Sequence, residues 1–267
     1  MSLSQAEISA AAEALHQAEA AGAQIGLLSV RHPDMTMDDA YAVQKALTKR
    51  KISEGRKIIG WKIGLTSKAM QQALSIDIPD SGMLFDDMLF ENGATIPAGR
   101  FIQPRIEAEI AFVMRHDLPV EALTRQTVLD ATDYVVPSLE ILDTRIMRKD
   151  PKTGTSRTIV DTIADNAANA GLVLGKDRID PRSTDLRWIG AIVTKNGEVE
   201  ETGLGGGVLN DPVESVLWLA RRMASYGQRI EAGQIILSGS FIRPVECPAG
   251  ADITADFGAH GSVTCKF

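Results

Sequence analysis

The chain has 267 residues, of which 44% are hydrophobic and 24% charged, and these proportions are typical of a globular protein with a full core. Its formal net charge of -7 argues against nucleic acid as a principal partner, because a phosphate backbone requires a basic protein face. No apolar run is long enough to cross a bilayer, and the N-terminus lacks the pattern of a signal peptide. The sequence therefore predicts a soluble, cytoplasmic protein with no membrane partner.

Residues 1–55 are predicted to form a helical N-terminal lobe. Ser4 to Glu7 have the pattern of a capping box, and the alanine-rich helix that follows can end at Gly22. Thr36 to Asp39 repeat this pattern with Asp in place of Glu, and the second helix should end near Gly55. Apolar residues recur along this helix at roughly helical spacing, so one of its faces should pack against the rest of the protein.

Residues 56–267 are predicted to form a β-rich domain, because short apolar runs recur there between Gly, Pro and Asp. The runs are KIIGWKIGLT, IEAEIAFVM, DYVVPSLEIL, AGLVLG, RWIGAIVTKNG, GQIILSG and ADITADFG. Asn196 and Gly197 suit a type I′ hairpin turn. Asp211 and Pro212, with Glu214 as a reciprocal cap, should begin one covering helix. The two cysteines match no metal-binding or redox spacing and are expected to be buried thiols.

Two glutamates interrupt the hydrophobic segment PRIEAEIAF, residues 104–112. In a strand, alternate side chains point to opposite faces, so three apolar side chains share one face while Glu107 and Glu109 share the other. A solvated strand face is the ordinary explanation of such a pair. The apolar residues on both sides favour an interior strand instead, and carboxylates buried there require a cation.

A third carboxylate, Glu140, lies in the apolar segment VVPSLEIL. One internal glutamate can belong to a salt bridge, but three in two apolar strands indicate a shared ion. Oxygen ligands without His or Cys select a hard cation, Mg²⁺ or Mn²⁺. Three protein oxygens leave about three positions for water or substrate, which is typical of a catalytic ion.

Six segments resemble, in order and spacing, the hydratase and decarboxylase branch of the fumarylacetoacetate hydrolase superfamily. They are GWKIGLTSKAM (60–70), PDSGMLFDDM (79–88), PRIEAEIAF, DYVVPSLEILDTR (133–145), DTIADNAANAGLVLG (161–175) and GQIILSGSFIRP (233–244). The resemblance spans nearly the whole chain. It implies an α+β fold in which mixed β-structure rolls into an incomplete barrel behind a helical N-terminal region, and it implies a homo-oligomer.

The resemblance also implies site residues. The metal ligands would be Glu107, Glu109 and Glu140. Lys62 would polarise the substrate or transfer a proton at the enol, and Asp80 would shuttle protons or activate water, although the two roles could be exchanged. Further substrate-binding residues would be Asp165, Asn166 and Ser240.

The implied reaction is the Mg²⁺-dependent addition of water to a 2-oxo-3-enoate in the meta-cleavage catabolism of aromatic compounds. The basic segment 143–158 favours a dicarboxylic substrate, 2-oxohept-3-ene-1,7-dioate or its 2-hydroxydiene tautomer. Arg145 and Arg148 of this segment would pair with the second carboxylate as part of a lid. A solvated charged loop is an equally good explanation of the same residues.

Three alternatives stay open from the sequence. The substrate could be the five-carbon 2-hydroxypenta-2,4-dienoate, or the reaction could be the decarboxylation of 4-oxalocrotonate. The chain could instead be a non-catalytic scaffold subunit of a hydratase–decarboxylase complex. The complete set of three glutamates and Lys62 argues against an inert subunit.

Overall fold

The computed structural model describes residues 2–73 and 78–267. Within these ranges the helices are α1 Gln5–Ala21, α2 Leu28–Arg31, α3 Met37–Ser53, α4 Lys68–Ala73, α5 Arg125–Ala131, α6 Ile159–Ala164 and α7 Pro212–Ser225. The strands are β1 Ile58–Gly64, β2 Asp80–Phe85, β3 Leu89–Phe90, β4 Arg105–Met114, β5 Thr132–Leu142, β6 Asn169–Leu174, β7 Gly190–Lys195, β8 Glu198–Leu204, β9 Ile235–Leu237, β10 Val245–Glu246, β11 Asp252–Asp256 and β12 Ser262–Lys266. None of these helices is both long and apolar enough to span a bilayer.

The described strands form two sheets. The larger sheet has the order β2-β1-β9-β4-β5-β6-β3, with β10 paired to β4, and the smaller has the order β12-β11-β7-β8. Parallel and antiparallel neighbours both occur in the larger sheet. This curled mixed sheet behind N-terminal helices confirms the predicted α+β, incomplete-barrel fold.

The N-terminal helices begin where the capping patterns predicted. The Ser4 side chain accepts a hydrogen bond from the backbone N–H of Glu7, whose carboxylate accepts one from the Ser4 backbone. Thr36 and Asp39 form the same reciprocal pair at the start of α3. Gly22 ends α1 with φ 61°, in the left-handed region that glycine adopts without steric penalty. Both helices were therefore predictable from their end residues.

The start of α7 differs from its prediction in one contact. Asp211 caps the helix by accepting from the backbone N–H of Val213, and Pro212 occupies the first helical position. The prediction that the Glu214 side chain accepts a reciprocal hydrogen bond from the Asp211 backbone was wrong, because the Asp211 N–H donates to the carbonyl of Val208 instead. The cap thus relies on the aspartate side chain alone.

Strand β4 lies in the middle of the larger sheet and is buried on both faces. Ile106, Ala108 and Ile110 have no exposed surface, which confirms their predicted apolar face, and Glu109 on the opposite face is equally buried. Strand β4 pairs with β5, β9 and β10. Its carboxylates are therefore held inside the protein, where they must be balanced by other groups.

A separate hydrophobic cluster holds the N-terminal helices to the segment that follows β5. Residues of α1 and α3 pack there with Ile146 and with Ile163 and Ala164 of α6. The N-terminal lobe therefore supports the same segment that carries the basic loop. The domain boundary at residue 55 stays a prediction. The N-terminal helices share a hydrophobic cluster with residues that lie after this boundary.

Gly60 sets the distance between β1, which carries Lys62, and its parallel neighbour β9. A methyl group on Gly60 would overlap the carbonyl oxygen of Ile235 in β9. We expect Gly60→Ala to lower the free energy of unfolding by about 2 kcal/mol, because the two strands must move apart. Urea denaturation measures this change. Gly26→Ala is the matched control, because no other atom would meet the added methyl group there; equal effects of the two substitutions would contradict the prediction.

Candidate metal and substrate site

The three predicted glutamates meet in the structure. Strands β4 and β5 are antiparallel, and their register places Glu140 directly opposite Glu107. Glu109 follows two residues later on the same face of β4. One carboxylate oxygen from each of the three lies within 4.8 Å of the others.

Burial and mutual repulsion make it unfavourable to ionise all three glutamates together. Burial, followed by the neighbouring Glu140, raises the pKa of Glu107 to about 8 and that of Glu109 well above its usual value. Burial also raises the pKa of Glu140. Burial alone would lower the pKa of Lys62, but the surrounding carboxylates, Glu140 foremost, raise it above its usual value. The cluster therefore favours a bound positive charge.

The cluster fits a hard divalent cation. The backbone N–H of Gly239 donates to Glu109 Oε2 at 2.8 Å, and the Asn169 side chain donates to Glu140 Oε1 at 3.0 Å. The other oxygens of these two carboxylates, Glu109 Oε1 and Glu140 Oε2, are buried without a partner among the described residues. Unpaired buried oxygens are unfavourable, and oxygen-only ligands suit Mg²⁺, Mn²⁺ or Ca²⁺.

Lys62 and Asp80 lie beside the carboxylate cluster on paired strands. Lys62 Nζ is 3.5 Å from Glu140 Oε1, and both side chains are almost fully buried. Asp80 faces Gly64 across the β1–β2 pair, and its Oδ1 has no partner in the described part of the chain. A methyl group on Gly64 would clash with both Asp80 Oδ1 and Lys62 Nζ. Glycine at position 64 therefore lets these two groups approach each other.

A cavity of about 700 Å³ opens onto the site. Lys62, Asp80 and Glu107 line it. Three guanidinium groups line it as well, and they belong to Arg105, Arg148 and Arg157. The cavity therefore offers a place for a divalent cation together with several donors for a second anionic group.

Arg145 and Asp165, both predicted to bind substrate, form an internal ion pair. Arg145 Nε donates to Asp165 Oδ1 at 2.6 Å, and the Arg145 backbone N–H donates to the other oxygen at 2.8 Å. Another guanidinium nitrogen donates to the carbonyl of Asn169. Both residues are almost completely buried, and neither lines the cavity. Contact of these two residues with the substrate stays a prediction. It would require the hydrogen bonds between Arg145 and Asp165 to be replaced by bonds to the substrate.

Asn166 and Ser240 are also engaged within the protein. The Asn166 side chain exchanges two hydrogen bonds with the backbone of Met83, which ties it to β2. Ser240 Oγ donates to the carbonyl of Ile242 at 2.8 Å. Substrate binding by these two residues stays a prediction as well. Among the predicted substrate-binding residues, Arg148 is the one that lines the cavity.

The structure adds Asn169, which the sequence analysis missed, to the residues that contact the carboxylate cluster. Asn166, Ala167 and Ala168 all have positive φ angles, of 52°, 52° and 57°. This left-handed turn precedes β6, where Asn169 is fully buried and contacts Glu140. Alanine rarely adopts the left-handed conformation, so no local signal in the sequence predicts this turn.

Glu109→Gln tests whether the cluster binds a cation. Glutamine keeps an acceptor for the Gly239 N–H but removes one charge and one anionic oxygen ligand. We expect Mg²⁺ to raise the thermal unfolding temperature of the unaltered protein by several degrees and that of the variant by much less. Thermal unfolding with and without Mg²⁺ measures this difference. The exposed Glu121→Gln is the control, and an undiminished Mg²⁺ effect in the Glu109 variant would contradict the assignment.

The cation affinity should also depend on pH. Burial, followed by the neighbouring Glu140, raises the pKa of Glu107 to about 8. Below that pH the metal-free site therefore holds a proton. A cation must displace this proton, so its affinity should fall as the pH is lowered, by about ten-fold per pH unit for each proton released. Calorimetric titration with Mg²⁺ between about pH 6 and about pH 8.5 measures the slope. A constant affinity across this interval would exclude coupled proton release.

Two hydratases are among the proteins to which the chain is similar in sequence. The chain is 50% identical over 256 residues to 2-oxo-hept-4-ene-1,7-dioate hydratase of Escherichia coli, and the match covers 96% of each chain. It is 45% identical over 257 residues to 2-keto-4-pentenoate hydratase of Paraburkholderia xenovorans (strain LB400), covering 96% of this chain and 93% of that protein. No family model matches the chain.

The fold comparison leads to the same group of enzymes. The structure is similar to that of 4-oxalocrotonate decarboxylase from Pseudomonas putida G7, which was solved in complex with magnesium and adipate. The TM-score is 0.92 at 34% identity, and the match covers 100% of this chain and 99% of that one. The chain therefore belongs to the hydratase and decarboxylase branch of the fumarylacetoacetate hydrolase superfamily.

Proposed function

We propose that the protein is a Mg²⁺-dependent hydratase that acts on a seven-carbon 2-oxo-enedioate in the catabolism of aromatic compounds. The observation that carries this proposal is one cavity that is lined both by Glu107 of the carboxylate cluster and by three guanidinium groups. Such a cavity suits a substrate with an anionic group at each end. The relative that is 50% identical is named for a seven-carbon diacid, which supports this choice.

The position of the substrate double bond does not change the proposal. The name of this relative places the double bond at C4, whereas the sequence analysis predicted C3. Both compounds share one dienol tautomer, 2-hydroxyhepta-2,4-dienedioate, because loss of a carbon-bound proton from either gives the same dienolate, and protonation of its C2 oxygen gives this dienol. This dienol is therefore the substrate with which to test the protein.

Charge stabilisation and proton transfer can be assigned to Lys62 and Asp80. A divalent cation held by Glu107, Glu109 and Glu140 would supply Lewis acidity beside the substrate carboxylate and the 2-oxo group. The Lys62 ammonium, fixed by its ion pair with Glu140, stabilises the negative charge that develops on the 2-oxo oxygen. Asp80, with a free buried oxygen, takes a proton from the water that adds at C4 and returns it to C3.

The second carboxylate of the substrate is proposed to contact Arg148. This residue lines the cavity from the loop after β5, and its side chain is 30% exposed, so it can turn towards a ligand. Arg157 lies in the same wall, where it donates to the Thr144 hydroxyl at 2.6 Å. A monocarboxylic substrate would have no group for these donors. Arg145 and Asp165 are proposed to support this loop rather than to contact the substrate.

The decarboxylation of 4-oxalocrotonate is the second candidate function. The similarity to the P. putida decarboxylase, with a TM-score of 0.92, is the observation that favours it. Both reactions stabilise the same kind of enolate, so the carboxylate cluster alone does not discriminate between them. We also propose a homo-oligomer located in the cytoplasm, on the basis of the family resemblance.

One assay separates these functions. Metal-stripped protein is mixed with 2-hydroxyhepta-2,4-dienedioate with and without Mg²⁺, and the loss of conjugated absorbance is followed together with carbon dioxide release. Mg²⁺-dependent loss of absorbance without carbon dioxide is the result expected of the hydratase. The same measurement with 4-oxalocrotonate is needed for the second candidate, because loss of carbon dioxide leaves a conjugated dienolate from this six-carbon diacid but not from the seven-carbon one. Carbon dioxide release from 4-oxalocrotonate would assign the chain to the decarboxylases, and turnover of none of the two diacids and the five-carbon dienoate would favour a scaffold subunit.

Arg148→Gln tests recognition of the second carboxylate. Loss of a charge-assisted hydrogen bond should lower kcat/KM for the diacid by about ten-fold to a hundred-fold. Turnover of the five-carbon 2-hydroxypenta-2,4-dienoate should be nearly unchanged, because that substrate has no second carboxylate. Lys149→Gln is the matched control, since it removes the same charge from the neighbouring exposed residue, which does not line the cavity. Equal losses for both substrates in the Arg148 variant would show that Arg148 does not select the diacid.

A further inference from the structure

Glu246 connects two of the arginines that line the substrate cavity. It lies in β10 directly opposite Arg105 of β4. Glu246 Oε1 accepts from Arg105 Nε at 2.6 Å and from Arg148 Nη1 at 2.9 Å. A single carboxylate oxygen of the protein thus holds two guanidinium groups that belong to different segments of the chain.

The position of Arg105 connects this group to the carboxylate cluster. Arg105 precedes Glu107 by two residues in β4, so both side chains point to the same face of the strand, about 7 Å apart along it. The first carboxylate of a substrate would lie near Glu107, and a chain of several carbons would carry the second towards Arg105 and Arg148. The arginine pair is therefore in a position to bind the second carboxylate of a long diacid.

Glu246 itself lies on the far side of these arginines. Arg148 lines both the substrate cavity and a second cavity of about 770 Å³, whereas Glu246 lines only the second. The Glu246 side chain is 53% exposed, so it can move into solvent without opening the core. The carboxylate that now holds the arginines can therefore be displaced from them.

We propose that Glu246 is a specificity-determining residue that occupies the arginine pair in competition with the second carboxylate of the substrate. Two guanidinium groups and one glutamate carry a net charge of +1, which attracts one further carboxylate. When a diacid binds, its second carboxylate takes the place of Glu246 on Arg105 and Arg148. This inference rests on one part of the proposed function, namely that the ligand is a diacid. It does not require the protein to catalyse a reaction.

Binding of adipate, a dicarboxylate that does not react, tests the proposal directly. Glu246→Gln removes the competing charge and keeps a neutral acceptor for the arginines. We expect its affinity for adipate, measured calorimetrically with Mg²⁺ present, to rise by about three-fold to five-fold, the effect of one exposed ion pair. The affinity for hexanoate, which has the same chain length and one carboxylate, should change much less. The diacid to monoacid ratio is therefore the measured quantity.

Glu201→Gln is the matched control, because Glu201 also pairs with an arginine, Arg243, and neither residue lines the two cavities. This control should leave the ratio unchanged. An unchanged or lower ratio in the Glu246 variant would overturn the proposal, because Glu246 would then be a surface ion pair or a support for the arginines. If adipate binding responds as expected while the dienol assay shows no hydration, the proposed reaction fails and the diacid site stands.

Discussion

The site depends on the antiparallel register of β4 and β5. This register places Glu140 opposite Glu107, and the alternation of side chains along β4 adds Glu109 on the same face. A shift of one residue would turn Glu107 and Glu109 towards the apolar core and replace them with isoleucine or alanine. Because β4 is central in its sheet and pairs with three other strands, the core that fixes its register also fixes the three carboxylates that are proposed to hold the cation.

The surrounding contacts hold these carboxylates in place. Asp165 binds Arg145, Arg145 donates to the backbone of Asn169, and the Asn169 side chain donates to Glu140. Breaking a buried ion pair leaves an uncompensated charge, so this chain of contacts resists movement of the ligand. Asp165, which the family resemblance implied as a substrate contact, and Arg145, which the basic segment suggested as one, can therefore act on the site by positioning Glu140, which is consistent with their hydrogen bonds in the structure.

The sequence predicted the parts of this protein whose signals are local. End caps identified α1 and α3, alternation identified β4, and the positive φ angles of Asn196 and Gly197 match the predicted hairpin turn. The short strands β3 and β10 have no such signal, because each pairs with a strand far away in the sequence. For the same reason the contacts of Arg105 with Glu246, and of Asn169 with Glu140, became visible only in the folded chain.

The charges that line the cavity bear on how a protein of net charge -7 can bind the doubly anionic ligand proposed above. With a divalent cation bound, the three glutamates would carry about -1, and the Lys62 ammonium and an ionised Asp80 together add no net charge. The positive charge that attracts an anionic substrate would therefore come from the three guanidinium groups that line the cavity. In the proposed function the first carboxylate binds at the cation and the second at the arginines, so a change in the arginines would alter the preferred substrate length while the cation site stays intact.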